Sequence, residues 1–145
     1  MARTSTYLNF NRKTEEAFNF YKSIFGGDFG NDGIARYRDM PPSDDMPPIP
    51  EADLDLIIHI ELSILGGHVL MGSDAPDTMG FTVNHGNSVN LNLEPDSKEE
   101  AERLFNGLSE GGRITMPLQD MFWGAYFGSC TDKYGINWMV NWAHR

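Results

Sequence analysis

The chain has 145 residues, 40% hydrophobic and 12% aromatic, enough for one core and too little for two ordinary domains. Eleven basic against 21 acidic side chains leave a net charge of −10, which argues against a nucleic-acid or anionic-membrane partner, since both need clustered Lys and Arg. No apolar run approaches the roughly 20 residues of a membrane span, no signal-peptide core opens the chain, and the single Cys130 excludes an intrachain disulfide and disfavours a thiolate zinc site.

These bounds predict a small, acidic, soluble, cytoplasmic single domain over 1–145. In chain order, the first predicted strand is 7–11. A helix follows, with Ala17, Phe20, Tyr21 and Ile24 at the i, i+3, i+4, i+7 spacing of one face and Gly26-Gly27 as its stop. Residues 39–55 hold five of the eight prolines and six acidic residues, without periodicity. This stretch reads either as an exposed connection or as a lid or dimer-contact arm. Strands are predicted at 56–65 and 69–73. A second series then begins with a strand at 89–94 and a helix striped by Ala101, Leu104, Phe105 and Leu108. It ends with strands at 122–131 and 136–142.

The two series are copies. Leu8-Asn9-Phe10 recurs as Leu91-Asn92-Leu93 at a shift of 83, and Glu15-Glu16-Ala17 as Glu99-Glu100-Ala101 at a shift of 84. Gly26-Gly27 maps onto Gly111-Gly112, and Gly67 to Met71 onto Gly135 to Met139. The predicted fold is α+β, with two βαβββ modules (about 5–75 and 88–143) forming a curved mixed sheet around a pocket.

Alternation then separates core from cleft. Leu56, Ile58, Ile60, Leu62 and Ile64 form one apolar face, leaving His59, Glu61 and Ser63 on the other. Leu8 and Phe10 are predicted core, and Tyr7 and Asn9 face outward. Leu91 and Leu93 are core, with Asn90 and Asn92 outward. In the last strand Ile136, Trp138, Val140 and Trp142 are core, leaving Asn137, Met139 and Asn141. A solvated face would carry Lys, Glu and Thr; Asn, His, Tyr and Met instead suit a semi-enclosed pocket with a few fixed polar groups.

Paired βαβββ units of this kind resemble the vicinal oxygen chelate superfamily of glyoxalases, bleomycin-resistance proteins and extradiol dioxygenases. Within it the chain is most similar to the PhnB-like branch. The residues carrying the resemblance are Tyr7-Leu8-Asn9-Phe10, Phe25-Gly26-Gly27 and Gly66 to Asp74, then Phe122-Trp123-Gly124 with Gly128, Asp132, Tyr134-Gly135 and Trp138-Met139. The branch is often labelled a demethylubiquinone methyltransferase. The sequence has no Gly-rich strand-to-helix loop and is short for an ordinary doubly wound methyltransferase, which argues against that label.

In metal-using members the resemblance implies a His on the first strand and a Glu on the last strand of each module, together holding one divalent ion. Here Met71 and Met139 take the Glu positions. The His positions fall at Ser5 or Tyr7 and at Ser88 or Asn90. None is a good ligand for a hard or borderline cation, so no metal site and no cofactor is predicted. His59 and Glu61 share a strand face and read in three ways: as mutually bonded neighbours, as a general base with its helper, or as a two-ligand metal site. His68, His85 and His144 read as surface or loop residues. Trp123 is either core or an aromatic pocket wall, and Met121 belongs with it. Cys130 reads as a small buried hydrophobe.

The predicted function is binding of a small molecule by Tyr7, Asn9, Met71, Asn90, Asn92, Met121, Trp123 and Met139, in a homodimer. The alternative is an enzyme of glyoxalase, dioxygenase or isomerase type, using a divalent metal or His59 with Glu61. A pure interaction module is the third reading.

Overall fold

The computed structural model describes residues 2–31, 33–41, 43–45 and 47–143. It resolves into two compact units, Met1–Val83 and Asn84–Arg145. The first runs β1 (Thr6–Phe10), α1 (Thr14–Phe25), β2 (Ala35–Arg36), β3 (Ile57–Ser63) and β4 (Val69–Asp74). The second runs β5 (Leu91–Leu93), α2 (Lys98–Ser109), β6 (Arg113–Asp120), β7 (Ala125–Thr131) and β8 (Asn137–Ala143). Each unit is therefore βαβββ. Their mixed sheets have the same order, β1-β4-β3-β2 and β5-β8-β7-β6, with only the first pair of each parallel. Among the described residues, no helix is long and apolar enough to cross a membrane.

Each helix covers one face of its own sheet. α2 buries Ala101, Leu104, Phe105 and Leu108, the predicted stripe, and Ser97 caps it by accepting from the Glu100 N–H at 3.1 Å. α1 buries Thr14, Ala17, Phe18, Tyr21 and Ile24, so Phe18 takes the place predicted for Phe20, which is only half-buried. The reason is tertiary. Gly72 of β4 leaves a gap facing the helix, and the Phe18 ring fills it: a Cβ on Gly72 would lie 2.6 Å from Phe18 Cε1. Phe105 fills the corresponding gap over Gly128 of β7, 2.7 Å from where its Cβ would be. Gly72 pairs with Ile60, and Gly128 with Val140. Both sheets thus set one glycine against one branched aliphatic under a phenylalanine, with the glycine on exchanged strands.

Two buried aspartates tie the elements together. Asp74 accepts from the Thr14 N–H (3.1 Å) and hydroxyl (2.8 Å) and from the Ile57 N–H (2.8 Å). Its charge sits at the positive end of α1, which has no side-chain cap of its own. Asp132 accepts from the Tyr134 and Ile136 N–H groups and from the Trp138 indole at 2.8 Å, shaping the β7–β8 turn.

The 39–55 segment is fastened at its base. Arg36 reaches Glu15 through both terminal guanidinium nitrogens (3.0 and 2.8 Å), and Arg38 meets Asp55 at 2.7 Å. Arg12 pairs with the buried Asp53 at 2.6 Å, and the Thr78 hydroxyl donates to the same carboxylate. The Arg36 guanidinium, mainly through its hydrogen bonds, holds the Glu15 carboxyl below its usual range.

β3 departs from simple alternation. Ala35 pairs with His59 but Arg36 pairs with Ile57, a register shift that leaves Ile58 as an extra residue. Ile57 is consequently buried, while Leu56 and Ile58, predicted core, are half-buried; Ile60, Leu62 and Ile64 are buried as predicted. In the second unit β7 begins at Ala125, because residues 121–124 form a turn closed by the Met121 N–H on Ala125 O and by Gly124 at φ 90°. Trp142, predicted core, is half-buried.

Candidate functional site

With the helices on one side, the other face of each sheet carries the candidate residues. In the first unit Tyr7, Met71 and Glu61 stand side by side on β1, β4 and β3. Asn9 pairs with Ser73 on the same face, and the Ser73 hydroxyl donates to Asn9 Oδ1 at 3.2 Å. His59 Nε2 lies 3.3 Å from Glu61 Oε2, and Arg3 Nη2 lies 3.5 Å from Glu61 Oε1. The Tyr7 and His59 rings are 6.1 Å apart and tilted by 39°. The Ser5 hydroxyl approaches the Met71 sulfur at 3.8 Å. Glu61 is largely covered and Tyr7 half-exposed, so this is a shallow polar–aromatic face with a carboxylate set into it.

In the second unit the corresponding row is Asn92, Met139, Ser129 and Met116. Beside it run Asn141, Phe127 and Gln119. Thr115 and Ser129 share a hydrogen bond of 2.7 Å. Among the described residues, the buried Asn141 side-chain oxygen has no hydrogen-bond partner, an uncompensated acceptor. Asn141 also borders a cavity of about 280 Å³ with Glu94, Pro95, Asp96, Trp142 and Ala143. A second cavity, of about 300 Å³, lies inside the 39–55 region between Tyr37, Arg38, Pro48 and Leu54. Neither cavity is lined by a residue predicted for the site.

The structure brings together Tyr7, His59, Glu61 and Met71 in one unit and Asn92 with Met139 in the other. It does not place Asn90 on a strand: Asn90 is exposed, ahead of β5. The strand pairing sets Tyr7 beside Met71 and Asn92 beside Met139, a shift of 85 between copies rather than 83. Tyr7 and Asn92, and not Ser88 or Asn90, are therefore the first-strand neighbours of the two methionines. Met121 is half-buried in the 121–124 turn, and Trp123 there is 57% exposed, so it is not core; its ring leans on Phe127 at 6.3 Å. Asn137, predicted outward, is buried, its amide donating to the Gly86 and Val89 carbonyls. His68 is half-buried against the Thr6 hydroxyl at 2.8 Å, and His85 is exposed. His144 lies outside the described residues.

A phenol, a carboxamide and two thioethers at these four positions do not fit the oxygen- and imidazole-rich set that a divalent cation needs. Among the described residues, no three His, Cys, Asp or Glu side chains gather as a group that could hold a metal ion. Cys130 is buried, and burial pushes its thiol pKa up to about 12, with Asp132 adding to the shift. Sequence reading missed Arg3, Phe127 and Ser129. The i, i+2 alternation of Phe127, Ser129 and Thr131 was the available signal for two of them, whereas Arg3 precedes any periodic segment.

The family model described as 3-demethylubiquinone-9 3-methyltransferase matches residues 2–141. The chain belongs to this PhnB-like family. It is 29% identical to protein YjdN of Escherichia coli (strain K12), over 94% of this chain and 92% of that one. Among solved structures, protein PA1353 from Pseudomonas aeruginosa is 35% identical with a TM-score of 0.81, covering 100% of both chains. The PhnB protein from Bacillus cereus, described as a putative 3-demethylubiquinone-9 3-methyltransferase, is 29% identical with a TM-score of 0.75, over 98% of this chain and 100% of that one. Proteins described as glyoxalase/bleomycin resistance/dioxygenase members share the fold at 12% and 17% identity, which carries the architecture alone.

Proposed function

We propose that this PhnB-like protein binds a small organic molecule on the helix-free face of a sheet, as a homodimer and without the divalent ion of the superfamily's metal-using members. One observation carries the reading. The strand pairs that would supply His and Glu hold Tyr7 beside Met71 and Asn92 beside Met139. These side chains offer apolar, polarizable contact and neutral hydrogen bonds, the usual furnishing of a ligand surface.

Methyl transfer is not part of the proposal. β1 enters α1 through Asn11, Arg12 and Lys13, and β5 enters α2 through 94–97, with no glycine in either turn to admit a nucleotide-bearing donor at a helix N-terminus. A thermal-shift screen of an organic library against Mn²⁺, Co²⁺, Ni²⁺ and Zn²⁺, with EDTA controls, tests the reading. An organic ligand at a hundred times its Kd adds about 2.7 kcal/mol, which raises Tm by roughly 5–10 °C at about 2–4 °C per kcal/mol for a chain of this size. Stabilisation by metals alone, reversed by EDTA, would refute it.

A further inference from the structure

Binding alone does not use the pair formed by His59 and Glu61. Their 3.3 Å contact runs from Nε2 of the imidazole to a carboxylate that is only 15% exposed and is held on its other oxygen by Arg3. No hydrogen bond engages the remaining ring nitrogen, Nδ1, among the described residues, and the centroids of the Tyr7 and His59 rings are 6.1 Å apart. The extra residue Ile58 lies directly before His59, and such bulges re-aim side chains beside active sites. A carboxylate near one imidazole nitrogen draws the proton toward that nitrogen, leaves the other one basic, and stabilises the imidazolium that forms when it accepts a proton.

We propose that His59 is a general base acting through Nδ1, with Glu61 as its positioning residue, on small neutral planar molecules that bear an acidic C–H and lie against Tyr7. In the step, the C–H bond breaks and its proton moves to Nδ1. The electron pair moves within the substrate onto an oxygen, and the imidazolium, held by Glu61, returns its proton to water. No oxidant, reductant or metal takes part.

The probe is 5-nitrobenzisoxazole. Removal of its C3 proton breaks the N–O bond and gives a coloured cyanonitrophenolate with no other reactant. With EDTA present, we expect the wild-type protein to exceed His59→Ala and His59→Gln by about 10²-fold, the lower end of what a positioned base supplies. Glu61→Gln should lie between. Thermal melts establish that each variant is folded, and two His59 variants guard against one that is not. Two-dimensional ¹H–¹⁵N NMR of the neutral imidazole should show the Nε2–H tautomer in wild type and a mixture in Glu61→Gln, a change that a merely structural role would not produce. Wild-type turnover no faster than the His59 variants, activity lost to EDTA, or an Nδ1–H tautomer would each overturn the proposal. So would Glu61→Gln abolishing activity that His59→Ala retains. Because the binding proposal is read from thermal shifts, the two can fail separately.

Discussion

Replacing Gly72 by alanine places a methyl group where the fold has no room for one. The new Cβ would lie 2.6 and 2.9 Å from two atoms of the Phe18 ring and 3.2 Å from the Leu8 carbonyl oxygen, against the roughly 3.5–4.0 Å of an ordinary carbon contact. Phe18 is fully buried and packs edge-on to Tyr21 at 5.8 Å, so its ring cannot yield without disturbing the α1 core. Overpacking of this kind costs about 1–3 kcal/mol, offset in part by a less flexible unfolded chain. At about 2–4 °C per kcal/mol, Tm should fall by roughly 2–10 °C. Gly30→Ala is the control, since its Cβ would meet only Glu61 Cβ at 3.9 Å. In a Phe18→Leu background the Gly72→Ala penalty should shrink by at least half, a coupling readable from a double-mutant cycle in urea. Full additivity, or a Gly72→Ala effect below about 0.5 kcal/mol, the size of an ordinary surface substitution, would refute the ring-on-glycine account.

Asn141→Leu should leave stability unchanged or raise it by about 1–3 kcal/mol in thermal melts, because it removes a buried acceptor with no partner among the described residues. Asp53 is held below the usual carboxylate range by the hydrogen bond from Arg12 first and that from Thr78 second. Its contribution is therefore complete above its unfolded value of 3.8 and lost as pH falls through its lower folded value, so the Tm gap between wild type and Asp53→Asn should be flat above about pH 5 and close below pH 4. Native Cys130 should resist a thiol reagent at pH 8 and react at once in denaturant, because the fold buries it and burial raises its thiol pKa. Iodide should quench Trp123, which is 57% exposed, and leave Trp138 untouched in single-tryptophan variants.

Much of this architecture is written in local pattern. The α2 stripe was legible because all four of its apolar residues face one sheet. The α1 stripe departs from the helical period at Phe20 because the site that selects Phe18 is a glycine more than fifty residues away, which no helical period encodes. Strand 56–65 alternates cleanly on paper, but the β2–β3 register adds a residue and turns Ile57 inward. At the first strands the sequence match gives a copy-to-copy shift of 83 and the strand pairing 85; because a strand repeats every two residues the faces agree, while Asn92 rather than Asn90 neighbours Met139. Phe122-Trp123-Gly124 looked like strand, yet Gly124 needs its positive φ for the turn that exposes Trp123. The site was legible as residue types on a face, with the His59–Glu61 approach among them. The Arg3 contact and the Asn141 oxygen depend on tertiary packing.

Native mass spectrometry of the gently purified protein tests the central claim most directly, since metal, adduct and oligomer appear in one spectrum. The account predicts a dimer free of stoichiometric divalent ion that carries an organic adduct, or takes one up from the thermal-shift hits. A stoichiometric divalent ion that EDTA removes, and that Met71→Leu and Met139→Leu both weaken, would contradict it.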